Sequence, residues 1–183
     1  MRLEALKRSA IGLAVAAAAL AAAPAQAGIV SVDVSGIFSN DELGDAINEV
    51  RQVAVGAWQN IVKISWNVEL FADSPSWLSE MSVDMAGHNG AGVTLTPGFA
   101  DDAPGANSYV GSFDLLLSGD KFQVGANGLL RLEFFESFDD FANDWDGIWR
   151  AGNIVIETVP EPATYGLMGL ALLAAGAATR RRR

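Results

Sequence analysis

Ile61-Val62-Lys63-Ile64-Ser65-Trp66-Asn67-Val68-Glu69-Leu70 is the stretch that decides the fold. Ile64, Trp66, Val68 and Leu70 fall on one side of an extended chain, and Lys63, Ser65, Asn67 and Glu69 on the other. A period of two, with β-branched and aromatic residues on the apolar side, marks a half-buried strand. The same alternation sets Val30, Val32 and Val34 against Ser31 and Asp33, and strand-like runs follow at 50–55, 81–85, 92–96, 108–117, 129–135 and 153–158. Turn clusters such as Gly87-His88-Asn89-Gly90, Asp101-Asp102-Ala103-Pro104-Gly105 and Gly125-Ala126-Asn127-Gly128 separate them. Some eight short strands so punctuated predict an all-β domain, an antiparallel β-sandwich with jelly-roll-like connections. Residues 41–50 have the pattern of a helical turn or two, weakened by Gly44. Val32, Ile64, Trp66, Val68, Val93, Leu130 and Leu132 are expected in the core.

The two ends read differently. Arg2, Lys7 and Arg8 precede an apolar stretch from Ile11 to Ala23, and Ala25-Gln26-Ala27 is a small-x-small cleavage site. That order predicts a secretory signal peptide over 1–27, with signal peptidase leaving Gly28 as the first mature residue. At the other end, Val159-Pro160-Glu161-Pro162 leads into 17 uncharged residues, 163–179, and then four arginines, 180–183. The run is at the short end of what crosses a bilayer as a helix, and the terminal arginines favour the cytoplasmic side. The expected organisation is therefore a signal peptide at 1–27, a β-sandwich domain at 28–158 and a membrane-spanning tail at 159–183. The domain would lie outside the membrane and be held there by its C-terminus.

Between the ends, residues 28–159 hold five cations against 20 of the 22 acids, a net charge of −15. Such a surface repels nucleic acid, whose phosphates need lysine and arginine. At 132 residues the domain is long enough to bury about two-thirds of its surface. With no cysteine there is no disulfide, thiolate metal site or cysteine nucleophile. The lone histidine, His88, lies in a turn and gives little scope for a histidine-based triad.

The tail closely resembles the PEP-CTERM sorting signal of Gram-negative, exopolysaccharide-producing bacteria, through Val159-Pro160-Glu161-Pro162, the glycine-bearing apolar run and the arginine cluster. The resemblance implies an exosortase, an integral-membrane cysteine-type transpeptidase, as processing partner. It also implies that the protein is exported across the inner membrane, anchored transiently by its C-terminus, and released or re-anchored at the outer cell surface or beyond. Tails of this kind also carry the label of an ice-binding protein C-terminal domain, which describes the tail and no activity; an ice-binding face needs a regular array, and the domain has only Thr94, Thr96 and Thr158. The domain resembles small exoproteins bearing such tails through Ser76-Trp77-Leu78-Ser79-Glu80, Leu95-Thr96-Pro97-Gly98 and Asp144-Trp145-Asp146-Gly147-Ile148-Trp149. Its order is also similar to that of the jelly-roll P domain of proprotein convertases. These resemblances imply fold and location and carry no catalytic residues.

Three constellations carry possible chemistry. Glu133, Glu136, Asp139, Asp140, Asp144 and Asp146 crowd one segment, and carboxylates so close raise one another's pKa unless a cation lies among them. Calcium takes roughly six to eight oxygens, and Asp139, Asp140, Asp144 and Asp146 are its candidate ligands, with Asp101 and Asp102 available from another loop. Asn143-Asp144-Trp145-Asp146-Gly147 looks like a fragment of a calcium loop but lacks the bidentate glutamate that closes one. The plainer reading is an acidic turn whose aspartates bond their own backbone. A glycosidase needs two carboxyls about 5–9.5 Å apart; Glu133 and Glu136 would face opposite sides of a strand, which leaves Glu80 with Glu136. Finally, Trp77 and Trp145 sit in turn-like contexts, where exposed aromatic faces stack on sugars or partners. The composite expectation is a non-enzymatic structural or binding module in the exopolysaccharide matrix, the alternative a small secreted hydrolase acting on glycans.

Overall fold

A computed structural model describes residues 27–140 and 144–160. The expected leader up to residue 26, Asn143, the Glu161-Pro162 pair, the apolar run and the arginine cluster lie outside the described residues. Along the chain run β1 (Gly28–Asp33), β2 (Ile37–Ser39), β3 (Glu49–Ala54), β4 (Gln59–Ala72), β5 (Met81–Ala86), β6 (Gly92–Leu95) and β7 (Gly105–Asp114). A helical turn α1 (Leu115–Ser118) follows, then β8 (Phe122–Gln123), β9 (Leu129–Glu136) and β10 (Gly147–Pro160).

All pairings are antiparallel. One sheet has the order β1-β10-β4-β7, with β2 beside β10 and β8 beside β4; the other has the order β3-β9-β5-β6. β1 pairs with β10 and β3 with β9, strands from opposite ends of the chain, while β4 with β7 and β5 with β6 lie closer in sequence. This is the nested Greek-key order of a jelly roll. Ala27–Pro160 form one compact unit.

The alternation in β4 sorts as its sequence demands. Ile64, Val68 and Leu70 are buried, while Lys63, Ser65, Asn67 and Glu69 face away from the core. They meet Ile154 and Ile156 of β10 in their own sheet and Val83, Met85, Leu130, Leu132 and Phe134 of the other, one continuous core between the two layers. Val30, Trp66 and Val93 pack against it only partly buried, so the expectation that Trp66 and Val93 are core residues is corrected. Trp66 lies across Gly111 of β7, where a Cβ would stand 2.3 Å from its ring. It lines a cleft of about 380 Å³ with Ile64, Val93, Leu95 and Phe113, where the edge strands of the two sheets stay apart. The fully buried tryptophan is Trp149, at 0% exposure.

Two local expectations are overturned. The strand expected over 108–117 stops at Asp114, whose carboxylate accepts the Leu116 and Leu117 N–H groups at 3.0 and 2.9 Å and starts α1. Capping by a short acidic side chain outweighs the aliphatic run. Of the helical turn expected over 41–50, residues 41–48 form a loop knitted by Asn48 and Glu133, and Glu49 and Val50 open β3. The buried Asn48 accepts the Asp41 N–H at 3.0 Å and donates to the Glu42 carbonyl at 2.8 Å, while Glu133 Oε1 accepts from Gly44 N–H at 2.6 Å. A side chain 89 residues away thus supplies bonds that helix formation would have made locally.

Candidate binding face and buried acid

Registration across β1, β10, β4 and β7 places outward residues in rows. Ser31, Val155, Ser65 and Ser112 are aligned in one row, and Asp33, Asn153, Asn67 and Val110 in the next. All of these but Asp33 floor a trough of about 590 Å³ on the outer face of the larger sheet. One end is bordered by an ion pair between Lys63 Nζ and Glu157 Oε1 at 3.0 Å, the other by Arg150 and Glu69 at 3.4 Å. A bulge in β10 between Trp149 and Ala151 brings Arg150 out of the alternation. Gly152, at φ +115°, then restores it in a space where a Cβ would stand 2.1 Å from the Asn67 carbonyl oxygen.

Beyond Arg150 the outward row is Phe38, Ile148 and Phe71. Trp145 lies on it, its ring centre 5.7 Å from Phe38 and 6.4 Å from Phe71, and the Arg150 guanidinium stands 5.8 Å from the Phe71 ring centre. Trp145 therefore belongs to an aromatic platform on the same face as the trough. Its companions Phe38, Phe71 and Arg150 were not picked out in the sequence. The signal available was only their outward parity in strands whose pairing was unknown. Trp77 stands elsewhere, 43% exposed in the loop after β4, its N–H held by Glu80 Oε2 at 2.7 Å.

The acidic segment divides by strand parity. Glu133 points outward but is buried under the 41–48 loop. Burial would raise its pKa, but hydrogen bonds from Asn48, Gly44 and Arg131 hold it below the usual glutamate range. Glu136 points inward in line with Leu130, Leu132 and Phe134 and is 0% exposed. Burial, reinforced by the charges of Asp146, Glu80 and Asp140, pushes its pKa up to about 9. The Ser39 hydroxyl opposes the shift but falls short of a hydrogen bond, and both carboxyl oxygens are without a hydrogen-bonding partner among the described residues. Ser39 Oγ instead accepts the Trp149 indole N–H at 3.2 Å.

The four aspartates named for calcium are placed differently from one another. Asp146 is fully buried and accepts the Asp140 N–H at 3.1 Å. Asp144 is exposed and accepts the N–H of Trp145 at 2.9 Å, and Asp139 has one buried oxygen without a hydrogen bond to the described residues. Asp101 accepts from Tyr109 at 2.6 Å and Asn107 at 3.0 Å, which holds its pKa low. Among the described residues no three carboxylate or imidazole groups are arranged to hold a metal ion. Glu80 lies close enough to Glu136 to raise its pKa, but a carboxyl at 0% exposure is out of reach of a substrate in this arrangement.

The chain carries the PEP-CTERM protein-sorting motif, matched at residues 158–183. The motif marks an exosortase-sorted protein, exported to the cell surface or beyond. Its first residues are still part of the sheet, since Val159 pairs with Asn60 and Pro160 with Gln59. No curated protein matches the chain. Among solved structures, dimeric latent PorU from Porphyromonas gingivalis matches with 8% identity and a TM-score of 0.36, over 75% of this chain and 13% of that one. The VP2 subviral particle of infectious bursal disease virus matches with 10% identity and a TM-score of 0.30, over 78% of this chain and 35% of that one.

Proposed function

We propose that the exported protein is a non-enzymatic structural or binding module of the cell surface or extracellular matrix, associated with exopolysaccharide. The observation that carries this reading is the sorting motif running on from the last strand of a folded β domain. On this reading signal peptidase cuts after Ala27. The tail then holds the chain in the membrane through the run 163–179, with the arginines at 180–183 on the cytoplasmic side. Exosortase processing near Pro160-Glu161-Pro162 releases or re-anchors the domain.

The composition supports a passive role. The domain has one histidine and no cysteine. Of its crowded acids, Glu136 is sealed and Glu133 is committed to Asn48, Gly44 and Arg131. A hydrolase acting on glycans needs two accessible carboxyls on one cleft, and neither of these serves.

The test is fractionation of the tagged protein from an exosortase-bearing host and from the same host without the exosortase. The expected result is a shorter, surface or extracellular form in the first and a membrane form with its tail intact in the second, both beginning at Gly28. An identical form in both hosts would overturn the reading, as would glycan hydrolysis by the purified exported protein.

A further inference from the structure

We propose that the outer face of the larger sheet binds an uncharged polysaccharide chain, with the trough around Ser65, Asn67, Ser112 and Asn153 holding sugar hydroxyls and the Trp145 platform stacking on a ring. The assignment rests on the surface-module reading above and makes it specific.

The argument begins with unused hydrogen-bonding capacity. Ser65 and Ser112 are neighbours in one row, and Asn67 and Asn153 in the next. None of these four side chains makes a hydrogen bond to the described residues, so each offers both a donor and an acceptor outward. A serine hydroxyl or asparagine amide that can donate and accept matches a sugar hydroxyl, which does the same. A volume of about 590 Å³ is in the range that holds a small ligand or a segment of a longer one.

The second part is apolar. A pyranose ring has a face of C–H groups, and flat aromatic surfaces bury it. Trp145, tilted against Phe38 and Phe71, provides one on the same face. Asn67 and Phe71 are four residues apart on β4, which sets the polar and aromatic zones about 13 Å apart. One monosaccharide does not cover that distance, and a chain of several does.

Charge selects the class. The domain carries −15, and the two cations bordering the trough are each paired with a carboxylate, Lys63 with Glu157 and Arg150 with Glu69. A polyuronate or sulfated glycan would be repelled, and an uncharged one meets no such barrier. Across the middle of the trough a peptide strand finds no unpaired backbone, because β10 and β4 are both bonded on either side and the free edges belong to β1 and β7 at its margins.

The test is affinity electrophoresis of the exported protein, recovered from an exosortase-bearing host, in gels containing laminarin, dextran or alginate. Retardation by laminarin or dextran and none by alginate is expected. Trp145→Ala and the double variant Asn67→Ala with Asn153→Ala should each weaken retardation by about tenfold. Gln52→Ala, on the exposed outer side of β3 in the other sheet, should match the parent. Thermal melts of each variant separate lost binding from lost folding, and the exposed Asn67 and Asn153 keep the test valid if Trp145→Ala unfolds. Retardation by alginate alone, equal retardation of all variants, or none in either uncharged gel would overturn the assignment. Surface location in the exosortase-bearing host, scored in parallel, fails only if the underlying reading fails.

Discussion

The Trp149 ring of β10 stands edge-on to the Phe134 ring of β9, with centroids 5.2 Å apart at 83°. The contact joins the last strands of the two sheets across the core, and it places both rings where their quadrupoles attract. Trp149 also donates its indole N–H to Ser39 on β2. One side chain therefore ties three strands, and its polar edge is satisfied at full burial.

Replacing Trp149 by Ala should cost about 3–5 kcal/mol, the usual range for deleting a buried aromatic. Trp66→Ala should cost clearly less, because its indole already lines an open cleft. Urea denaturation of the two variants beside the parent measures the difference. A larger loss at Trp66 would contradict the burial assigned to the two.

Glu136 makes stability depend on pH. Its folded pKa of about 9 lies above the ordinary 4.5, so the folded state retains a proton that the unfolded chain gives up. The resulting stability is complete below the ordinary value and is lost as pH rises towards 9, by up to about 1.4 kcal/mol per pH unit. Glu136→Gln removes this loss. The variant should melt higher than the parent at pH 8 and close to it at pH 4, and parallel pH curves would show that Glu136 is not buried as a neutral acid.

Arg131→Ala strips Glu133 of its cation but leaves the bonds from Asn48 and Gly44. With Arg131 partly in solvent, the loss should be about 2 kcal/mol rather than the roughly 3–5 of a fully buried pair. Because the folded pKa of Glu133 is depressed, this contribution exists above the ordinary glutamate range and fades as pH falls through it. Chemical denaturation at pH 7 and pH 3.5 should show the variant's deficit shrinking in acid.

A net charge of −15 on the domain predicts a melting temperature that rises with sodium chloride as self-repulsion is screened. Calcium at matched ionic strength supplies the contrast. An excess rise with calcium, abolished by Asp144→Asn with Asp146→Asn, would identify ligands in that loop, and equal rises would leave screening as the whole effect.

Sorting should depend on two separate features of the tail. Substituting Pro160-Glu161-Pro162 should block processing, and deleting residues 180–183 should weaken membrane retention. Immunoblots of membrane and extracellular fractions read both, and normal processing of both variants would contradict the role of the motif.

Strand content was legible wherever one face of a strand meets water and the other the core. The alternation of β4 needed no tertiary information, because a period of two is a local property of the chain. The sorting tail was legible for the same reason, as a linear signal read in order by other proteins. The loop over 41–48 and the end of β7 were not. A distant glutamate and a short capping aspartate decided them, and periodicity records neither.

The sequence by itself therefore determined the fold class, the acidic surface and the sorting motif, each of which follows from residue order or composition. Only the tertiary structure decided that Glu136 is sealed without a hydrogen-bonding partner among the described residues while Glu133 is covered by the 41–48 loop, that Trp149 rather than Trp66 is the buried tryptophan, and that Trp145 joins Phe38 and Phe71 beside a polar trough. These depend on which strands pair and in what register. Long-range pairing brings together residues more than 100 positions apart, such as Phe38 and Trp145, and no local pattern encodes that distance.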